Sequence, residues 1–194
     1  MALYQPTIPI RYSTMLLAYL RELHPQAMAE ALLAAEITES CFDEPNASLT
    51  MNQFGALLAE TARLSGRTDI GFELGRRITL SEHGALGVLM LGCANLDESL
   101  RLVARFYRLI TPSFFLHYRR QPEYGELLYV PAAGMSTTTL QAFNEIHAVS
   151  CHLQLAALLS GQLQAYDIYL PMDAPVHAQR YRELLPARFH FGTQ

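Results

Sequence analysis

A chain of 194 residues is long enough to bury a full hydrophobic core, and one domain is the expectation at that length. With 51% hydrophobic and 16% charged residues, composition excludes an intrinsically disordered chain. A net charge of -4, with Arg76-Arg77 and Arg119-Arg120 as the adjacent basic pairs, excludes a nucleic-acid surface built of clustered Lys and Arg.

The first residues, Met1-Ala-Leu-Tyr-Gln-Pro, lack a basic start and an apolar run, so no secretory signal is expected and the chain reads as cytoplasmic. Ser13 is the expected cap of a helix carrying Met15, Leu16, Tyr19, Leu20 and Leu23, which His24-Pro25 ends because a residue before proline is steered out of the α region. An Ala- and Leu-rich helix is expected over Ala27 to Ala35. Thr50 and Gln53 form a capping-box pattern ahead of Phe54, Leu57, Leu58, Ala62 and Leu64, a stripe at helical spacing that stops at Gly66. Asp69 then reads as the cap of a short helix with Ile70, Phe72, Leu74 and Ile78.

Between Leu80 and Pro112 lie two helices around a glycine-spaced hinge. Gly84, Gly87 and Gly92 punctuate the first, which costs helix propensity unless a neighbour approaches closely, and close helix packing is the expected reason. Asn95-x-x-Glu98 opens the second, whose Leu96, Leu100, Val103, Ala104 and Tyr107 should face the core until Thr111-Pro112. Ser99, Arg101, Arg105 and Arg108 read as its solvated side, with an anion-binding or subunit-contact role as the alternative. The longest uncharged apolar stretch, Gly84 to Leu96, is well below the roughly 18 residues that a membrane span requires.

The period then changes. Phe114 to Tyr118 and Tyr124 to Val130 read as two antiparallel strands of a hairpin, followed by a long helix from about Thr138 to Gln162. Ala165 to Leu170 reads as a third strand, Val176 to Leu185 as a helix, and Arg188 to Phe191 as a fourth strand. The fold class is α+β, a mainly helical domain with a small, mostly antiparallel sheet, with no internal repeat.

The Leu80–Pro112 segment resembles the ligand-sensing N-terminal, arabinose-binding-like domain of AraC-type transcription regulators. The residues that carry the resemblance are His83, Gly84, Gly87, Asn95, Leu96, Ser99, Leu100, Phe106 and Tyr107, and a second match closes the chain at Pro186-Ala-Arg-Phe-His-Phe-Gly192. It extends over roughly residues 10 to 192. The resemblance implies a small-molecule effector, a homodimer, no cofactor and no catalysis. It also implies that DNA is contacted only through a helix-turn-helix unit, expected to lie outside residues 1–194. The best-known arabinose sensor holds its sugar in a β-rich jelly roll, whereas the first half here reads helical, so its sugar-contacting residues do not carry over.

Reactive side chains concentrate in the long helix, at Glu145 to His152. His147 and Cys151 share a helix face, which admits a metal or haem site completed by His83 or His117, or a Cys/His nucleophile. Two ligands do not make a zinc site, and a cysteine in mid-helix gains nothing from a helix dipole. Cys41, Cys93 and Cys151 are odd in number and far apart, as buried reduced thiols are. No phosphate loop, nucleophile elbow or His-Glu-x-x-His pattern occurs. Phe143, His147, Ser150 and Gln154 align along one face of mixed polarity, and no Asp, Glu, Lys or Arg occurs from Ile146 to Tyr166, so the helix is expected to be buried on most sides. Buried polar groups need partners, from the protein, water or a ligand. The expected effector-binding residues are therefore His83, Phe114, His117, Phe143, His147, Ser150 and Gln154. A satisfied core is the competing reading for each, and a metal- or haem-binding sensor or enzyme centred on His147, Cys151 and His83 competes for the whole set. A module whose apolar helices pair with a partner chain is the third.

Overall fold

A computed structural model describes residues 7–23, 26–44, 46–132 and 134–193. The fold is α+β and mainly helical. Strand β1 (Thr7–Pro9) leads directly into α1 (Ile10–Leu23), followed by α2 (Ala27–Ala34), a short 3-10 turn, β2 (Ser48–Thr50), α3 (Met51–Ser65) and α4 (Ile70–Arg77). A second 3-10 turn, Leu80–His83, precedes α5 (Ala85–Leu91) and α6 (Leu96–Phe106). The hairpin β3 (Phe114–Arg120) and β4 (Gly125–Pro131), the long α7 (Thr137–Leu158), β5 (Tyr166–Leu170), α8 (Ala178–Leu184) and β6 (Ala187–Phe191) complete the chain.

The strands form three separate pairs. β1 lies antiparallel to β2, with Ile8 opposite Leu49, and β3 antiparallel to β4, with Leu116 opposite Tyr129. β5 and β6 run parallel, because α8 carries the chain back to the same end before β6 starts. β1 and β2 are three residues each, too short to show a period of two in the sequence.

Local chemistry explains the starts of α3, α6 and α7. The Thr50 hydroxyl accepts from the Gln53 backbone N–H at 3.2 Å, and the Gln53 side chain accepts from the Thr50 N–H at 3.1 Å, so the capping box forms as the spacing predicts. α3 stops where Gly66 takes a left-handed φ of 65°. Asn95 caps α6 through the Glu98 N–H, and Ser136 caps α7 through the Thr139 N–H. Ser13 departs from expectation. α1 already starts at Ile10, after Pro9, which leaves Ser13 inside the helix, fully buried, with its hydroxyl unpartnered. The His24-Pro25 break lies outside the described residues.

Asp69 occupies the N-cap position of α4, but its carboxylate turns away from the helix to Arg67, which donates twice at 2.8 Å, and to Arg180 at 3.2 Å. Two guanidinium groups outcompete a neutral backbone N–H for a carboxylate. Arg67 first and Arg180 second hold the Asp69 carboxyl at about 2, below the ordinary 3.8. A lowered carboxyl contributes stability present above 3.8 and lost as pH falls through about 2. Asp69→Asn is therefore expected to be less stable than wild type at pH 7 and to converge with it toward pH 2. Urea midpoints across that range check this, and a constant gap would refute it.

The main core gathers α1, α3, α4, α6, β3 and α7 around Leu16, Leu20, Phe54, Leu57, Leu74 and Phe114. A smaller cluster of Phe72, Val149, Leu170, Tyr181 and Leu185 joins α4 and α7 to the β5-α8-β6 unit. α4 reaches α7 through Gly71 and Gly75, one turn apart. A Cβ at Gly71 would stand 2.4 Å from the Ala142 carbonyl oxygen, and one at Gly75 would stand 2.8 Å from that of Ile146. α7 is buried along Phe143, Glu145, Ile146, Val149 and Ser150, then only half-covered, with Leu153 exposed, so its last two turns are less enclosed than their lack of charge suggests. On α6 the arginines lie outward, but Ser99 is 1% exposed and faces the core beside Leu100.

Candidate functional site

The inward face of α7 meets α1, α6 and the β3-β4 hairpin around a cavity of about 70 Å³, lined mostly by apolar and aromatic side chains. Positions 143, 147, 150, 151 and 154 are spaced by threes and fours, which puts Phe143, His147, Ser150, Cys151 and Gln154 along this wall. β3 alternates, presenting Phe114 and Leu116 inward and Phe115 and His117 outward, while β4 presents Leu127 and Tyr129 inward.

Two polar groups of residues sit in this wall. At the first, the His147 Nε2 lies 3.2 Å from the Tyr107 hydroxyl. The imidazole stacks on Tyr129 at 4.4 Å between centroids and 19° between planes, and Phe114 packs edge-on to it at 4.6 Å. Cys151 lies against the Tyr129 hydroxyl. At the second, His83 joins α1 to α7, its Nδ1 3.1 Å from the Tyr12 hydroxyl and its Nε2 2.9 Å from Gln154 Nε2. Gln154 Nε2 also donates to the Ile78 carbonyl at 3.2 Å, which fixes the amide orientation because that carbonyl only accepts. His83 Nε2 is then the acceptor, and its proton sits on Nδ1, facing Tyr12. The Ser150 hydroxyl and the Gln154 carboxamide oxygen hydrogen-bond to no other described residue.

Burial keeps every titratable group of the wall neutral. It pushes His147 down to about 3 and the Cys151 thiol up to about 11, lowers His83, and raises Tyr12, Tyr107 and Tyr129. No Asp, Glu, Lys or Arg lines the cavity. A thiol raised this far is a poor nucleophile and a poor metal ligand. Among the described residues no three His, Cys, Asp or Glu side chains converge in a way that holds a metal ion.

Of the seven residues expected to bind effector, His83, Phe143, His147, Ser150 and Gln154 line the cavity together. Phe114 stands behind them, supporting Phe143 and His147 at 4.9 and 4.6 Å. His117 does not join them. It occupies the exposed face of β3, three residues from Phe114, and an odd separation in a strand places two side chains on opposite faces. Tyr12, Tyr107 and Tyr129 complete the polar lining; the sequence places Tyr107 in a helix stripe and Tyr129 in a strand. The alternation of β4 carried a signal for Tyr129, whereas nothing in the sequence marks Tyr12.

A second, larger groove of about 510 Å³ lies between α3, α4 and α7 and reaches Glu145. Its carboxylate is 1% exposed and both oxygens have protein partners. Oε2 accepts the Gly71 backbone N–H at 3.1 Å, and Oε1 accepts His177 Nε2 at 2.7 Å and Gln141 Nε2 at 3.3 Å. His177 Nδ1 in turn meets the Thr68 hydroxyl at 3.1 Å. This chain ties α4, α7 and the start of α8 together, which gives Glu145 a structural role. The smaller cavity, with unpartnered polar atoms in an apolar wall, is the better candidate site.

Residues 26–194 match the N-terminal arabinose-binding domain of AraC transcription regulators. The chain is 28% identical over 191 residues to the ornithine utilization regulator of Pseudomonas aeruginosa, covering 90% of this chain and 56% of that protein. Uncharacterized HTH-type transcriptional regulators of Mycobacterium bovis and Mycobacterium tuberculosis are each 27% identical over 101 residues, 52% of this chain and 29% of theirs. The chain thus spans about half the length of the Pseudomonas relative. No helix among the described residues is long and apolar enough to cross a membrane. With its matched region running from α2 to the last residue, the chain belongs to the family of N-terminal arabinose-binding domains of AraC transcription regulators.

Proposed function

We propose that residues 1–194 form one effector-sensing domain of a cytoplasmic AraC-type regulator, and that the cavity against α7 is where the effector binds. The observation that carries this is a cavity at the meeting point of α1, α6, α7 and the hairpin, walled mostly by apolar and aromatic side chains, into which the Ser150 hydroxyl and the Gln154 carboxamide converge. A ligand site of this kind holds its ligand by apolar contact and orients it with a few polar groups in the wall. Binding to one arrangement of these elements better than another shifts the population, and so biases an attached helix-turn-helix unit and the partner subunit of a homodimer. No step of this requires catalysis or a cofactor.

A thermal-shift screen of the domain against small metabolites tests the reading, because a ligand of the folded state raises the midpoint by mass action. A selective hit is expected in wild type, weakened by His147→Ala with secondary structure retained. Equal responses from wild type and a folded His147→Ala variant would place the effector elsewhere.

A further inference from the structure

We infer that this cavity takes an uncharged, mainly apolar ligand of about the size of a short-chain alcohol, held by one polar group against Ser150 and Gln154, and that it rejects charged metabolites. The inference rests on the reading of the cavity as the effector site.

Charge is decided by the wall. Among the described residues no Asp, Glu, Lys or Arg lines it, and burial keeps His147, His83 and Cys151 neutral at pH 7. An ammonium or carboxylate entering this space would lose its hydration with no Asp, Glu, Lys or Arg in the lining to replace it. The fixed charges that reach the wall electrostatically are Arg11, which acts on Tyr12 and His83, and Glu82, which acts on Tyr12 with opposite sign. Arg11 lies outside the lining, donating to the Ile110 carbonyl at 3.0 Å with its guanidinium over the Tyr12 ring, and its Nε is buried without a partner among the described residues.

An aromatic wall can also hold a cation, through open ring faces. Here the Tyr129 face is covered by the stacked His147, and Phe114 meets His147 edge-on, so the rings are spent on one another. What remains for a ligand is apolar contact plus the Ser150 hydroxyl, which donates or accepts, and the Gln154 oxygen, which accepts. A volume of about 70 Å³ leaves room for only a handful of non-hydrogen atoms, which sets the size. Ornithine, whose utilization the Pseudomonas relative is named for, carries two ammonium groups and a carboxylate at neutral pH and does not match this wall.

The test uses a set matched in size and differing in charge: 1-butanol, butyrate, butylammonium and tetramethylammonium, together with L-ornithine. Each is titrated into the 194-residue chain at pH 7 while the Met90 and Ile146 methyl resonances are followed by NMR. Expected is saturable binding of 1-butanol at least about tenfold tighter than any charged probe, abolished by Ser150→Phe or, should that variant fail to fold, by Leu155→Phe. Should a charged probe bind as tightly or more tightly at these methyls, and the filling variant abolish it, the ligand class is wrong and the effector site stands. Should no probe move the methyls, or the filling variants leave binding unchanged, the effector site itself is wrong and the inference falls with it.

Discussion

Gly87→Ala is expected to destabilise the domain by about 2–3 kcal/mol, even though alanine is the better helix former. The added Cβ would stand 1.8 Å from the Leu80 carbonyl oxygen and 2.7 Å from its carbon, closer than any non-bonded contact allows. Both atoms are backbone, so relief requires moving the 3-10 turn Leu80–His83 away from α5. That turn carries His83, which bridges Tyr12 and Gln154, so the shift should also loosen the second polar group of the cavity. At this chain length the loss corresponds to roughly 5–10 °C in Tm. Gly92→Ala provides the control: Gly92 has an ordinary φ of -85° and its nearest neighbour would be 3.6 Å from the new Cβ. It should change Tm little or raise it slightly, since alanine restricts the unfolded chain. Calorimetry on the two variants decides the matter, and equal Tm values would refute the close-approach argument.

These glycines show what the sequence could and could not convey. Gly84, Gly87 and Gly92 stand out together as breaks in an apolar helix, with nothing to separate them. In the structure they differ. Gly84 takes a φ of 59° at the start of α5, Gly87 admits the Leu80 carbonyl, and Gly92 does neither. The neighbour of Gly87 is moreover the preceding turn and not another helix, a contact that spacing alone cannot specify. Gly71 and Gly75 sit in a short helix with a clear apolar stripe, which hides them in the sequence, yet they let α4 approach the α7 backbone. Capping residues were legible because Thr50-Gln53 and Asn95-Glu98 act within one turn, where sequence distance is spatial distance. The α7 wall was legible for the same reason, since helical spacing decides which side chains share a face. His117 was misplaced although strand parity, available from the sequence, excludes it from the face of Phe114. The distant partners of Asp69 and Glu145 were not legible: Arg180 and His177 lie 111 and 32 residues away, and only the completed packing brings them in.

Glu145→Leu is expected to have the largest effect on stability, a loss of about 3–5 kcal/mol, with Glu145→Gln costing much less. Leucine leaves the Gly71 N–H, the His177 imidazole and the Gln141 amide without an acceptor at a site 1% exposed, where each orphaned polar group is costly. Glutamine keeps an oxygen for Gly71 but turns its NH2 toward His177 and Gln141, so it loses the charge and one of the two acceptor atoms. The pH dependence separates the contribution of charge from that of hydrogen bonding. Burial raises the Glu145 carboxyl above its ordinary 4.5, against the opposing pull of His177. The folded state therefore holds this proton more tightly than the unfolded one, and the carboxyl's contribution, fully present below 4.5, is lost as pH rises through the raised value. Relative to Glu145→Gln, wild type should lose stability over that window, opposite in sign to Asp69, whose contribution is lost on acidification. Chemical denaturation of wild type and both Glu145 variants from pH 4 to 8 reads this directly. A gap between wild type and Glu145→Gln that widens in favour of wild type with rising pH would show that the ion pair with His177 outweighs desolvation. Because α7 carries Glu145 on one face and His147, Ser150 and Gln154 on another, the same variants report how far the effector cavity depends on the hydrogen bonds that tie α7 to α4 and to the start of α8.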